Sequence, residues 1–207
     1  LQQDPHYRLD CTTRGYYQHP NTSFYLGVGM PMPPLPPVMQ TDLRYKSGNW
    51  AQGVSSFTTY DQKQAQAFAD GKSVIFDVSG NNSNDITISS EVRPSATYFI
   101  NPLQHDYTLN GNIAGGKIFK SLLGTTTING NITSTDSLII SEGTLVVNGT
   151  ITAPLALRAK GTLAGNITLN GTAAFEGGLN YEGCRLSPGT QAEPFGTFTF
   201  NGDLTLT

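Results

Sequence analysis

Groups that could carry out acid–base chemistry are few and dispersed in the C-terminal half of the chain. Polysaccharide lyases and hydrolases need clustered carboxylates, often with Lys or Arg, to shift pKa values and transfer protons. From residue 121 onward the carboxylates are Asp136, Glu142, Glu176, Glu182, Glu193 and Asp203, and the basic residues are Arg158, Lys160 and Arg185. None of the carboxylates forms an obvious pair at strand spacing, so the sequence does not favour catalysis.

One ion pair depends on how the chain is aligned with itself. If the Gly-Thr pairs at 143 and 161 are equivalent positions, Glu142 stacks beside Lys160, and we interpret such a pair as structural. Alignment of Asn148 with Asn170 separates the two charges. The three histidines are dispersed, and no G-x-S-x-G, P-loop or His-x-x-x-His motif occurs.

Aromatic residues near the N-terminus are the candidate sugar contacts. Glycan sites rely on exposed aromatic faces beside amides and carboxylates, and the sequence offers Tyr16, Tyr17, Tyr45 and the single tryptophan, Trp50. The alternative interpretation is that these rings pack the N-terminal arm onto the rest of the protein.

The two cysteines, Cys11 and Cys184, lie far apart in sequence. A disulfide between them would require an oxidising compartment and would contribute roughly 2–4 kcal/mol by closing a long loop. The alternative is a pair of buried thiols. Neither their spacing nor neighbouring histidines indicates a metal site, and we expect no cofactor.

Composition restricts the partners. Charged residues make up 13% of the chain, against roughly 25% in an ordinary soluble protein. The net charge of −3 shows no basic excess, so we expect no nucleic-acid partner. No stretch approaches the ~18 apolar residues of a transmembrane helix. The chain begins with Leu1 and carries no leader, so we expect a processed product or a piece of a longer polypeptide.

The elements that would position any site fall into two regions. Residues 1–50 read as an irregular arm, with a proline-rich run at 31–37. Residues 58–71 predict a short helix, because Thr59 or Asp61 can cap its start and Gly71 can end it. From about Asp85 onward alternating apolar and polar residues predict only β-strands.

An apolar residue followed by Asn-Gly occurs five times in this β region, with the asparagines separated by intervals of 19, 19, 22 and 31 residues. In "GTLVVNG" Leu145 and Val147 share one face of a strand, and Thr144 and Val146 share the other. One face of the sheet is therefore apolar. The asparagines are Asn110, Asn129, Asn148, Asn170 and Asn201.

Two architectures explain the repeated phrase. Asn-Gly between alternating strands is a strong hairpin signal, which predicts an antiparallel β-sandwich. Alternatively, each phrase is a corner of one coil in a β-solenoid, and the long last interval contains an inserted loop. In a solenoid the five asparagines would stack and hydrogen-bond as a ladder along the axis, in a composition rich in Asn, Thr and Gly. Spacing alone leaves both architectures open.

The segments "GTLVVNGTI" and "RLSPGTQAEPFGTFTFNGDLTL" resemble the autotransporter-associated β-strand repeats of secreted bacterial proteins, and the stretch from 67 to 100 resembles the segment that leads into such repeats. The resemblance covers roughly residues 65–207. It implies a right-handed parallel β-helix on a secreted or surface-exposed protein of a gram-negative bacterium. Several glycan-degrading enzymes and adhesins carry such repeats as accessory modules.

These observations together predict an all-β fold, with a right-handed parallel β-solenoid over 51–207 capped near 58–71. The antiparallel sandwich is the alternative. The favoured function is a non-catalytic scaffold, spacer or glycan-contacting unit of a larger glycan-processing protein, with a glycan or a larger parent or partner chain as its partner. A small β-helix lyase or hydrolase and a sandwich-type carbohydrate-binding module are the other hypotheses.

Overall fold

The structure, a computed structural model, describes residues 42–81, 83–177, 183–190 and 194–206. These residues belong to the compact unit Pro37–Thr207, and the N-terminal unit Leu1–Pro36 lies outside them. Every regular element in the described part of the chain is a β-strand. The predicted all-β class is therefore confirmed.

Nineteen strands occur in the described residues. They are β1 (Leu43–Tyr45), β2 (Phe57–Thr58), β3 (Ala65–Gln66), β4 (Ser73–Phe76), β5 (Ser83–Thr87), β6 (Ala96–Ile100), β7 (Tyr107–Asn110), β8 (Ile113–Gly115), β9 (Lys117–Ser121), β10 (Thr125–Asn129), β11 (Ile132–Ser134), β12 (Leu138–Ile140), β13 (Gly143–Thr152), β14 (Leu155–Leu157), β15 (Gly161–Asn170), β16 (Ala173–Phe175), β17 (Arg185–Pro188), β18 (Phe198–Phe200) and β19 (Leu204–Leu206).

These strands wind into a β-solenoid of about six turns. The first face stacks β1, β4, β6, β9, β12, β14, β16 and β19, and every neighbouring pair in this stack is parallel. The second face stacks β5, β7, β10, β13, β15 and β17. The third face contains β8 and β11, the C-terminal halves of β13 and β15, and β18. The parallel pairing excludes the antiparallel sandwich.

Alternation within each strand separates an apolar interior from a polar exterior. In β13 the side chains of Leu145, Val147 and Ile151 are buried, while Thr144 and Val146 lie partly exposed on the other side. Equivalent inward residues stack from coil to coil, as in the column Ile113, Ile132, Ile151, Leu169 and Phe200. Such columns form one continuous core, because stacked coils lie only about 4.8 Å apart.

Three of the predicted corner asparagines stand in one column. Asn110, Asn129 and Asn148 occupy equivalent positions in successive coils. The amide Nδ2 of Asn129 donates to Oδ1 of Asn110 at 2.8 Å, and Nδ2 of Asn148 donates to Oδ1 of Asn129 at 2.8 Å. These three side chains therefore form a hydrogen-bonded ladder between the second and third faces.

The other two predicted corner asparagines stand at a different corner, so the expectation of one column of five is wrong. Asn166, which carries no Gly after it, follows Asn148 in the first column. Asn170 pairs with Thr152 at the end of the third face, and Nδ2 of Asn201 donates to Oδ1 of Asn170 at 3.0 Å. The interval of 22 residues is thus one coil plus the step to the next corner.

The final Asn-Gly phrase does not form a hairpin. β18, before Asn201, pairs with β15, and β19, after Gly202, pairs with β16, both in parallel. The extra residues of the last long interval lie at two places. They follow Phe175, and they also separate β17 from β18. The insertion therefore lengthens one coil without breaking the winding.

The predicted helix over 58–71 is absent, since β2 and β3 pair there as an antiparallel hairpin beside β1. Thr59 and Asp61, the expected helix caps, instead form the turn: Oγ1 of Thr59 donates to the Asp61 carboxylate, which also accepts the Lys63 N–H. Helix propensity is a weak preference that tertiary contacts override. Here burial of Phe57 and Phe68 at either side of the turn decides the outcome.

Aromatic packing fills the β1 end of the core. Tyr45 stacks on Phe76 with ring centroids 4.9 Å apart, and Trp50 meets Phe68 edge-on at 5.5 Å. The ring centroids of Phe57 and Trp50 lie 6.0 Å apart. The solenoid sheet thus begins at Leu43, inside the segment predicted to be an irregular arm.

Candidate functional site

Two of the predicted sugar contacts are buried. Tyr45 and Trp50 are each 0% exposed, so neither ring can stack on a ligand, and the prediction is wrong for both. Their faces are taken up by the aromatic packing at the β1 end, where the apolar rings contribute to the core. Tyr16 and Tyr17 lie outside the described residues.

A different apolar surface faces outward on the first face. One outward position is equivalent in every coil, and most of its occupants are apolar. We call this set the outer row. In order along the solenoid it consists of Arg44, Ile75, Tyr98, Phe119, Ile139, Ala156, Ala174 and Thr205. Ile75 is only 3% exposed, so the accessible part of the row begins at Tyr98.

The rings at the middle of the outer row are adjacent and accessible. Tyr98 and Phe119 are partly exposed, and their ring centroids lie 6.5 Å apart with an interplanar angle of 64°. Partial burial and the negative charge of Asp42 raise the pKa of the Tyr98 hydroxyl. Tyr98 is therefore a neutral hydrogen-bonding group on an apolar ring at physiological pH.

Side-chain size falls along the outer row and opens a trough. Beyond Phe119 and Ile139 the row continues with Ala156 and Ala174, which leaves space above the sheet. An open trough of about 320 Å³ lies there. Its lining is mostly apolar and uncharged: Ser137, Ile139, Pro154, Leu155, Ala156, Thr172, Ala173, Ala174 and Thr205.

The outward positions of the other two faces are mostly polar. On the second face Thr125, Thr144 and Thr162 stack in one row. On the third face Thr150, Thr168 and Thr199 are equivalent. In the described residues the first face combines outward rings and aliphatic side chains with a concave surface, a combination that ligand sites share.

Charge lies at the edge of the trough rather than within it. Nε of Arg158 is 3.3 Å from a carboxylate oxygen of Glu176, and both side chains are about half exposed. An exposed pair of this kind contributes little to stability. A ligand in the trough would meet a neutral lining, with this ion pair and the Asp136 carboxylate beside it, and Asp136 accepts a hydrogen bond from Ser137 Oγ at 3.1 Å.

A buried lysine points into the core behind the same face. Lys120 is 0% exposed, and its Nζ donates to the backbone carbonyls of Ser121 and Leu122 at 2.9 and 2.7 Å. Burial lowers the pKa of Lys120 to about 8, although Glu142 and Asp106 oppose the shift. Because this amine faces away from the outer row, we assign it to the structure of the corner and not to the site.

The remaining predicted groups are dispersed. The observed register pairs Gly143 with Gly161, which is the alignment that stacks Glu142 beside Lys160. Cys184 is half-buried against the core, while Cys11 lies outside the described residues, so the disulfide stays a prediction. Among the described residues no group of three or more His, Cys, Asp or Glu side chains could hold a metal ion.

No protein family model, curated protein or solved structure matches this sequence. In the described part of the chain, no helix has the length and apolar character needed to cross a membrane.

The outer row was not found by sequence reasoning, although a signal for it exists. "SATYFINP", "KIFKS" and "SLIIS" each place two or more bulky apolar residues in succession, so both faces of those strands receive an apolar side chain. Only the register shows that Tyr98, Phe119 and Ile139 point outward and fall in one row.

Proposed function

We propose that this chain is a non-catalytic β-solenoid module of a secreted or surface-exposed protein of a gram-negative bacterium, where it serves as a scaffold and contacts an uncharged glycan along the first face. The observation that carries the glycan contact is the outer row, with accessible Tyr98 and Phe119 rings leading into an uncharged trough.

Sugar rings present apolar C–H faces and a rim of hydroxyls. Exposed aromatic side chains offer a matching apolar surface, and a Tyr hydroxyl adds a polar group at the edge. The Ser137 and Thr172 hydroxyls border the trough and can exchange hydrogen bonds with such a rim. The absence of charge within the lining favours a neutral polymer over a uronic acid.

The scaffold role is supported by the same register that builds the face. Repeated coils hold the outer row at a fixed spacing along the axis, so a linear polymer could meet equivalent positions in turn. The resemblance of residues 65–207 to autotransporter-associated repeats supports a secreted parent protein.

Binding to a panel of neutral and acidic polysaccharides, measured by affinity gel electrophoresis, tests this function. Phe119→Ala removes a ring, and Ala156→Trp fills the trough; each should abolish the retardation that a neutral polysaccharide causes. Thr152→Trp places the same bulk on the third face and should leave retardation unchanged. Retardation of the unmodified chain by no neutral polysaccharide would refute the glycan contact.

A further inference from the structure

The depth of the trough comes from a decrease in side-chain size along the outer row. Ile139, Ala156 and Ala174 hold equivalent outward positions in three successive coils, so the side chain shortens from four carbons to one and stays short in the next coil. Both alanines are partly exposed. Since neighbouring coils lie about 4.8 Å apart, the depression above them is wide enough for a small branched group. We call the methyl groups of Ala156 and Ala174 the trough floor.

The trough floor and the Pro154 ring beside it form an apolar surface without hydrogen-bonding side chains. A sugar hydroxyl placed on this floor would lose its hydrogen bonds to water without gaining a partner, which costs free energy. A methyl group in the same place is stabilised, because apolar surface is removed from water. The floor therefore favours a sugar that carries a methyl-bearing substituent over one that presents only hydroxyls.

A hydrogen-bond acceptor lies at the edge of the trough floor. The Oγ of Ser137 lines the trough and donates its hydrogen to Oδ1 of Asp136 at 3.1 Å. A hydroxyl has one hydrogen and two lone pairs, so an Oγ whose hydrogen is engaged can only accept further bonds. Within the described part of the chain this Oγ accepts no hydrogen bond. Ser137 therefore offers a lone pair to a donor on the ligand.

We infer that the glycan bound along the first face contains N-acetylated amino sugars. An acetamido group is neutral, and it carries a methyl group and an N–H a few bonds apart, which are the two features that the floor and Ser137 accommodate. Its methyl group lies on the trough floor, its N–H donates to Ser137 Oγ, and a neighbouring sugar of the same polymer stacks on the Phe119 ring. This inference rests on the glycan contact proposed above and adds the class of sugar to it.

Isothermal titration calorimetry of the full chain with two matched oligosaccharides tests the class of sugar. Hexa-N-acetylchitohexaose and cellohexaose share the same backbone linkage, and they differ in that the first carries an acetamido group where the second carries a hydroxyl. The first should bind at least about tenfold more tightly, the discrimination expected of one methyl-sized contact in an apolar site. Equal affinities, or binding of neither oligomer, would overturn the inference. The glycan contact is judged separately by the polysaccharide panel, where retardation by any neutral polymer supports it.

Substitutions in the trough floor should remove the preference and keep the binding of a plain sugar. Ala156→Val and Ala174→Val each add two methyl groups, which fill the depression without rising above Ile139. Each should weaken the binding of hexa-N-acetylchitohexaose about tenfold and leave the affinity for cellohexaose unchanged. Ala65→Val makes the same change at an exposed alanine of β3, at the far edge of the first-face sheet, and should alter neither affinity. Floor variants that bind hexa-N-acetylchitohexaose as tightly as the parent chain would contradict the inference.

Removal of the Ser137 hydroxyl gives an independent readout of the N–H contact. Ser137→Ala should weaken the binding of hexa-N-acetylchitohexaose about two- to tenfold, the value of one net hydrogen bond, and should affect cellohexaose less. Ser141→Ala makes the same change two residues after Ile139, at a serine that does not line the trough, and should change neither affinity. An equal loss for both oligomers in Ser137→Ala would show that Ser137 binds a hydroxyl common to both sugars, and no loss would show that it makes no contact. Either result would overturn the role given to the acetamido N–H.

Discussion

The Asn148 side chain donates from Nδ2 to Oδ1 of Asn129, one coil earlier, at 2.8 Å, and Asn129 makes the same bond to Asn110. Asn129, the middle member of the ladder, is donor to Asn110 and acceptor from Asn148. This arrangement needs both ends of the amide, so neither a carboxylate nor an apolar side chain can replace it. The corner between the second and third faces therefore depends on side-chain chemistry as well as on backbone pairing.

Asn129→Ala should destabilise the protein, because Asn129 is the middle member of the ladder and the change removes two hydrogen bonds. With a net contribution of about 0.5–1.5 kcal/mol per bond, the free energy of unfolding should fall by about 1–3 kcal/mol. Urea unfolding followed by circular dichroism measures the loss. Thr152→Ala, an exposed change on the third face, should shift the midpoint little, and an equal shift for both variants would refute the role of the ladder.

Asn129→Asp separates the chemistry of the amide from its size. The carboxylate still accepts from Asn148 but has no N–H to donate to Asn110, so two acceptor oxygens meet. The variant should be destabilised at neutral pH. It should regain stability as the pH falls below the carboxyl pKa, because the protonated acid can donate. A destabilisation that does not change with pH would contradict this account.

Gly130→Ala should disrupt the same corner by a steric mechanism. A Cβ at position 130 would lie 2.1 Å from the backbone oxygen of Gly111 in the coil beneath, and backbone cannot yield as a side chain can. We expect a loss of about 1–3 kcal/mol in the free energy of unfolding, as for other overpacked sites. Gly183→Ala is the matched control, since a Cβ there meets nothing within 4 Å. Comparable unfolding midpoints for the two variants would show that close coil stacking is unimportant.

Trp50 should be essential to the β1 end of the core, because it is 0% exposed and packs against Phe57, Phe68 and Phe76. Trp50→Ala should lower the free energy of unfolding by about 3–5 kcal/mol. Trp50→Phe should lose much less, since a ring remains and the buried indole N–H, which has no hydrogen-bond partner in the described structure, is removed. Chemical unfolding monitored by circular dichroism distinguishes the two, and equal losses would contradict the packing role.

Much of the solenoid could be predicted because the alternation of inward and outward residues can be seen within a single strand. Leu145 and Val147 alternate with Thr144 and Val146 in the sequence, and the structure buries the first pair and leaves the second partly exposed. The low charge is explained by stacking, since equivalent residues of neighbouring coils lie side by side. These features depend on periods of two residues and of one coil, both of which can be read from the chain.

What could not be predicted depends on contacts that a single segment does not encode. Asn148-Gly149 and Asn170-Gly171 are the same phrase, but they occupy different corners. The residue that stacks on Asn148 one coil later is Asn166, so Asn170 lies at the next corner. The 58–71 segment has helix-forming residues, yet pairing with β1 gives a hairpin. The sequence offers Tyr45 and Trp50 either as sugar contacts or as packing rings, because nothing local distinguishes a core aromatic from an exposed one. The outer row required the register of eight strands.

Lys120 should make stability depend on pH in the alkaline range. Burial lowers its pKa to about 8 in the folded protein, whereas the unfolded chain keeps the ordinary value of 10.5. Between these values the unfolded state binds the extra proton, so the free energy of unfolding rises with pH. The gain is complete above 10.5, declines as the pH falls below that value, and is absent below about 8. The slope cannot exceed about 1.4 kcal/mol per pH unit for one group.

Lys120→Met isolates this contribution, because methionine keeps an unbranched apolar stem but has no amine to titrate. Urea unfolding is measured at intervals from pH 7 to pH 10. The free energy of unfolding of the parent chain, relative to that of the variant, should rise with pH. The comparison should stop near pH 10, since burial raises the pKa of Tyr107 and ionisation of that tyrosine in the unfolded chain then lowers stability. A difference that stays constant across the range would contradict this account. It would mean that the pKa of Lys120 in the folded core is the ordinary value of the unfolded chain.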